Sequence, residues 1–317
     1  MNTSPIILHT PTARVSGHYR ITAHKLDGSS RVLADWFDNI ITDGGLDRLG
    51  VTAGSFPPHY ACSVGTGTAT PVVGDSNLQT FVASTITIQT SSETAQGSPP
   101  YYTQYTRTYR FGVGAAAGNI SEVGVGWSTG GNNLFSRALI LNGGGSPTTI
   151  TVLSDEYLDV QYSFRLYPPT VDVTGSITIS GTSYNYTIRA SRVTNTAQWS
   201  AGSFLACGWG VGGTSPGGYA YGGTIGAITA YPNGSYSNPD SNTDSTSLAA
   251  YGSNNLYRDM TFTWGLNRGN TAGGIKTIFF QTHSGGSMSY QVEFTPVLDK
   301  TNVKVLTMVF RTSWARH

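Results

Sequence analysis

The chain has 317 residues and a formal net charge of +1, from 18 Lys and Arg against 17 Asp and Glu. Only 11% of it is charged, far below the roughly 25% of an ordinary soluble domain, and polar character comes instead from Ser, Thr, Asn, Tyr and 40 Gly. There is no basic run of the kind that marks a nucleic-acid binder, no apolar run approaching the roughly 18 residues of a membrane span, and too little Glu and Lys for solvated amphipathic helices.

Thr, Val, Ile, Tyr and Phe favour strands, and Gly, Asn, Ser and Pro favour turns, so the expected fold class is all-β. Residues 1–17 lack a charged region followed by a long apolar one and are expected to form an N-terminal arm, not a secretory leader. A hairpin follows in "HYRITAHKLDGSSRVLADWFDN", turning at Asp27-Gly28 between alternating runs. "IITDGGLDRLG" predicts the one short helix, near 43–49. Further strands are expected at about 77–90, 102–113, 120–128, 133–141 and 156–167. Pro168 and Pro169 cannot donate ladder hydrogen bonds and close a first unit over 18–168. A second unit, 169–317, opens with a hairpin turning at Gly181 and continues with strands at about 224–231, 256–266, 275–282, 287–295 and 302–313.

The two units echo each other. "ACSVGTGTATP" at 61–71 and "ACGWGVGGTSP" at 206–216 share A-C-x-x-G-x-G-x-x-x-P and hold the only two cysteines, Cys62 and Cys207. Residues 107–127 resemble 260–280, and 151–167 resemble 296–312, with Leu158 and Val160 falling on Val303 and Val305. A repeat of this length is too long for a solenoid unit and predicts two tandem related β-sandwich domains, the second carrying a Tyr/Gly-rich loop insertion. On this reading each Cys-containing segment is a strand and its exit turn, with the cysteine free and facing inward.

Three pieces of the first unit stand in a familiar order. They are Asn39, Ile41, Thr42, Gly44, Leu46 and Asp47; then Val64, Gly65, Thr66, Gly67, Thr68, Pro71, Asp75 and Leu78; then Glu122, Val123, Gly124, Leu134, Phe135, Arg137 and Ala138. The ordered set resembles tail-fibre and tail-appendage proteins of tailed bacteriophages. The resemblance covers roughly 36–167 and implies a virion structural protein, made in the host cytoplasm and carried in the tail region as fibre, baseplate or collar component. It also implies other virion proteins as partners and a homo-oligomer, trimer or hexamer. No collagen-like repeat and no sustained heptad appears, so a long fibrous shaft is not expected.

Chemistry-bearing motifs are sparse, and neither a cofactor nor an enzymatic role is expected. Gly208, Gly210 and Gly213 match G-x-G-x-x-G, but the following "TSPGGYAYGG" cannot open a helix that would receive a pyrophosphate. His59 lies near Cys62, yet no metal-ligand spacing is complete. Asp43 is expected to cap the short helix and Asp47 to lie exposed on it, while Asp240 and Asp244 lack the rest of a calcium loop. The richest stretch is 199–257, where rings stand among Gly, Ser and Asn as in paratopes. Trp199, Trp209, Tyr219, Tyr221, Tyr231 and Tyr236 are the candidate partner- or receptor-binding residues, for a neighbouring subunit or a host surface glycan.

Overall fold

The computed structural model describes residues 6–51, 56–207, 209, 217–234, 242–282 and 288–317. The first half runs β1 (Ile7–His9), β2 (Ala13–Lys25), β3 (Ser30–Asp38), β4 (Ile40–Ile41), α1 (Asp43–Arg48), β5 (Ala61–Gly65), β6 (Phe81–Thr85), β7 (Ile88–Ala95), β8 (Thr103–Phe111), β9 (Gly118–Ile120), β10 (Glu122–Gly126), β11 (Leu134–Leu139), β12 (Ile150–Val152) and β13 (Glu156–Tyr167). The second runs β14 (Val173–Ile179), β15 (Thr182–Ala190), α2 (Ala201–Leu205), β16 (Gly217–Tyr221), β17 (Ser245–Leu248), β18 (Tyr257–Trp264), β19 (Ile275–Gln281), β20 (Ser289–Leu298) and β21 (Leu306–Arg316). The chain is all-β with two short helices where one was expected, α2 being the addition, and neither is long or apolar enough to cross a membrane.

Alternation builds the sheets. Along β2 every second residue from Ala13 to Ala23 is buried, and the residues between them are the polar Arg14, Ser16, His18, Arg20 and Thr22. β2 folds back into β3 at Asp27-Gly28, where the Asp27 carboxylate accepts from Ser29 N at 2.8 Å. The second hairpin joins β14 to β15 through Ser180 and Gly181, both at positive φ, the backbone of a two-residue hairpin turn. In the first half, β3-β2-β13-β8-β7 lies over β4-β11-β10-β5-β6, and Phe135 meets Tyr162 and Phe164 between them. In the second, β17-β18-β21 lies over β14-β15-β20-β19-β16; between them Phe280 stacks on Phe310, and Phe262 meets both at an angle.

The halves share a topology. Antiparallel β13-β8-β7 corresponds to β21-β18-β17, and β11-β10-β5 corresponds to β20-β19-β16. The likeness of 107–127 to 260–280 holds in register, since Tyr109 faces Val160 and Phe262 faces Met308 at matching positions. Two other sequence matches do not hold. Val303 and Val305 are exposed and precede β21; Leu306 and Met308 take the inward positions. The strand in the place of β5 is β16, whereas Cys207 closes α2 at positive φ. Cys62 and Cys207 are both free and buried, but they are not equivalent.

The halves are also fused. Residues 7–17, expected as an arm, form β1 and the start of β2, and both pair in parallel with β21: Leu8 with Phe310, Arg14 with Ala315. One sheet therefore runs β17-β18-β21-β2-β13-β8-β7 through both halves, and one cluster of buried side chains continues beneath it. The strand expected at 224–231 is absent. Residues 222–234 instead cross the outer face of β15-β20-β19, where Thr277, Gln291, Glu293 and Arg189 bond their backbone.

Candidate functional site

Four residues of the ordered motif set in the first half, Gly67, Asp75, Glu122 and Arg137, meet at one buried ion pair. Glu122 opens β10 with no exposed surface, and Arg137 lies beside it on β11 at 3% exposure. Arg137 donates Nε and Nη2 to Glu122 at 3.0 and 2.8 Å, Nη1 to Asp75 at 2.7 Å, and Nη2 also to Ala69 O at 3.1 Å. The remaining lone pairs of Glu122 accept backbone N–H groups of Gly67, Gln79 and Thr80 at 2.9, 3.1 and 2.8 Å. A Cβ at Gly67 would run into the Glu122 carboxylate, so the loop comes this close only as glycine. Every polar group of the pair is satisfied, which a buried pair requires, and the loop 66–80 is thereby pinned to the sheet. The motif is a structural knot with no free group to do chemistry.

The same loop reaches α1. Val73 O accepts from Asp43 N at 2.7 Å. Thr42, not Asp43, is the N-cap: its Oγ1 accepts from Gly45 N at 2.8 Å and donates to Leu134 O at 2.6 Å. Asp43 is exposed and pairs with Arg316 at 2.5 Å. Asp47 is half-buried, accepting from Tyr251 OH at 2.8 Å and from Asn254 N.

The C-terminal end of α1 is held by the second half. Its terminal carbonyls have no partner within the helix. Trp314 Nε1 donates to Leu46 O at 2.9 Å, Cys207 Sγ to Arg48 O at 3.1 Å, Trp209 Nε1 to Leu49 O at 2.7 Å, and Arg258 Nη1 to Gly50 O at 2.6 Å. Trp209, Trp314, Phe204 and Tyr251 pack edge and face around these bonds. The cysteine segment of the second half thus serves as a clamp on the first.

This geometry redistributes the six aromatic candidates. Trp199 is buried, donates Nε1 to Ser191 O at 2.8 Å and meets Tyr290 edge-on. Trp209 is buried in the clamp and Tyr221 is buried at the end of β16, so none of the three presents a face to a partner. Tyr219 is half-buried and Tyr231 exposed; they share Phe279, with ring centroids at 5.9 and 5.0 Å, and the Arg192 guanidinium lies 4.3 Å over Tyr231. Tyr236 lies outside the described residues, as do Gly208, Gly210, Gly213 and Asp240. Asp244 is engaged by Arg268 at 3.2 Å and by Gly265 N at 2.5 Å. Among the described residues no group of His, Cys, Asp and Glu is arranged to hold a metal ion.

The structure also places residues that motif reading passed over. Ser16 Oγ is 3.1 Å from His18 Nε2, and His18 Nδ1 is 2.8 Å from Asp38 Oδ1, the order of a hydrolase relay. Burial and the Arg165 charge hold the His18 pKa down, against the opposing pull of Asp38. The row lies on the open outer face of the sheet with Asp38 exposed, so it encloses no substrate. A Ser-x-His pair in an alternating strand was its visible signal.

Comparison with known proteins finds no matching family model, no matching curated protein and no matching solved structure.

Proposed function

We propose that the chain is a structural component of a tailed-phage virion, acting by protein–protein assembly in the tail region and not by catalysis. One observation carries the assembly reading: the hairpin-like stretch 81–95 leaves two consecutive sheet edges uncovered. β6 ends the β4-β11-β10-β5 sheet and β7 ends the long sheet, both on the same side of the sandwich. Phe81, Val82, Ile86 and Ile88 are exposed there, and Glu93, the one charged residue of the stretch, is drawn away to Ser200 Oγ and Gly202 N at 3.1 Å each. Natural edges are guarded by Lys, Pro, bulges or a covering element; β7 carries no Lys or Pro and one bulge, at Ile88/Thr90, and the edge beyond it is a template for another strand. A second copy of the chain is the occupant we assign, pairing edge to edge in a homo-oligomer. The ordered resemblance in 36–167 supplies the virion context, and the low charge suits extensive burial between subunits. Mass spectrometry of purified particles tests the context: absence of the chain from them would end this reading.

A second reading, binding of a host receptor or glycan, is favoured by the Tyr219–Phe279–Tyr231 surface with Arg192 above it. Tyr231→Ala separates the two. Normally assembled particles that fail to adsorb support receptor binding, and unchanged adsorption supports assembly.

A further inference from the structure

Arg258 is a buried cation for which the described residues supply no acidic partner. It stands on the inward side of β18 with Met260, Phe262 and Trp264, at 3% exposure. Among the described residues no carboxylate pairs with it, and the chain's other described acids pair or bond elsewhere near the site, as Asp47 does with Tyr251. Among the described residues its guanidinium makes one hydrogen bond, Nη1 to Gly50 O at 2.6 Å. Nε is buried with no acceptor, and Nη2 makes no hydrogen bond. Trp209 and Tyr251 lie 5.6 and 5.9 Å away and offer their ring faces. Such faces and a helix-end carbonyl offset only part of what a buried, unpaired charge costs.

The guanidinium borders a cleft of about 700 Å³ at the junction of the two halves. Its walls are apolar, from Val51, Leu248, Ala249 and Tyr251, with Ser253 at the rim. We propose that this cleft binds a small monoanion with an apolar body, a carboxylate meeting Arg258 and the body lying against Val51, Leu248 and Ala249. Arg258 is the one charged side chain among the residues that line the cleft, and a single cation selects a monoanion over a phosphate dianion. A guanidinium edge with two unused N–H directions matches a carboxylate better than a hydroxyl or amide. The proposal stands independently of the assembly reading.

Calorimetric titration of the whole chain with benzoate, its neutral isostere benzamide, and inorganic phosphate tests it. Saturable one-site binding of benzoate is expected, at least tenfold tighter than benzamide or phosphate. Arg258→Gln, which keeps an amide donor for Gly50 O, should weaken benzoate at least tenfold while leaving benzamide unchanged. Ala249→Glu places a carboxylate in the cleft from an exposed position; it should raise the thermal midpoint and exclude benzoate. No saturable benzoate binding, equal binding of benzamide, or preference for phosphate would overturn the assignment. Should Arg258→Gln fail to fold, Ala249→Glu decides, since undiminished benzoate binding in that variant also overturns it.

Discussion

The indole N–H of Trp209 reaches the carbonyl oxygen of Leu49 at 2.7 Å across 160 residues of chain. The bond ties the segment after α2 to the end of α1, and Trp314 repeats it at Leu46, 2.9 Å away. Trp209→Phe keeps the ring and loses the donor, and should cost about 1 kcal/mol. Trp209→Ala also empties a buried aromatic site and should cost about 3–5 kcal/mol. Because one sheet spans both halves, each variant should unfold in a single transition at a lower denaturant concentration. Two separated transitions in urea, followed by near-ultraviolet circular dichroism, would contradict the clamp.

The Glu122–Arg137 pair predicts strong coupling. Arg137→Met leaves the Glu122 carboxylate buried without its cation and should destabilise by about 3–5 kcal/mol. The double variant Glu122→Leu, Arg137→Met should cost much less than the two single losses added together, since no orphaned charge remains. Urea denaturation of all four forms measures the cycle, and additive losses would count against it.

Acid should weaken the fold through His59. Burial, then the Arg107 charge, holds its pKa down to about 3, against roughly 6.5 in an unfolded chain. The unfolded state therefore binds the extra proton between these values. Stability is complete above about pH 6.5 and falls as pH drops toward 3, by an amount on the order of a few kcal/mol. The imidazole sits against Tyr105, with its backbone carbonyl held by Tyr109 OH at 2.5 Å and Arg107 at 3.1 Å. His59→Gln should flatten the acid limb of the stability–pH curve; an unchanged limb would assign the acid sensitivity elsewhere.

The uncovered edge makes a prediction about association. Ile88→Lys places a guarding charge at the exposed start of β7 and should reduce self-association while changing stability by no more than about 0.5 kcal/mol. Light scattering after size exclusion reads the first and thermal melting the second. An oligomer that forms equally well in the variant would remove the edge from the assembly reading.

Much of the fold was legible in the chain. Periods of two placed β13 and β18 within a residue or two, Asp27-Gly28 and Gly181 marked both hairpins, and α1 fell where "TDGGLDRLG" put it. The site was less legible. Glu122, Asp75 and Arg137 could be read as an ordered pattern, but their union in one ion-pair network needs two paired strands and a distant loop brought together. The aromatic stretch misled because composition does not distinguish a ring that faces a partner from one that faces a core. Arg258 left a usable signal, standing two, four and six residues before Met260, Phe262 and Trp264 in an alternating strand, on the apolar side.

The sequence by itself determined strands, turns and faces, because these depend on alternation and turn chemistry within a few residues. Only the tertiary structure decided which segments are equivalent and what they hold. The likeness of 61–71 to 206–216 is one of letters: Cys62 lies within a strand, while Cys207 caps the carbonyl of Arg48 beyond a helix. Likewise β1 and β2 completing a sheet with β21 joins the two ends of the chain, and no local pattern encodes a pairing that closes over some three hundred residues.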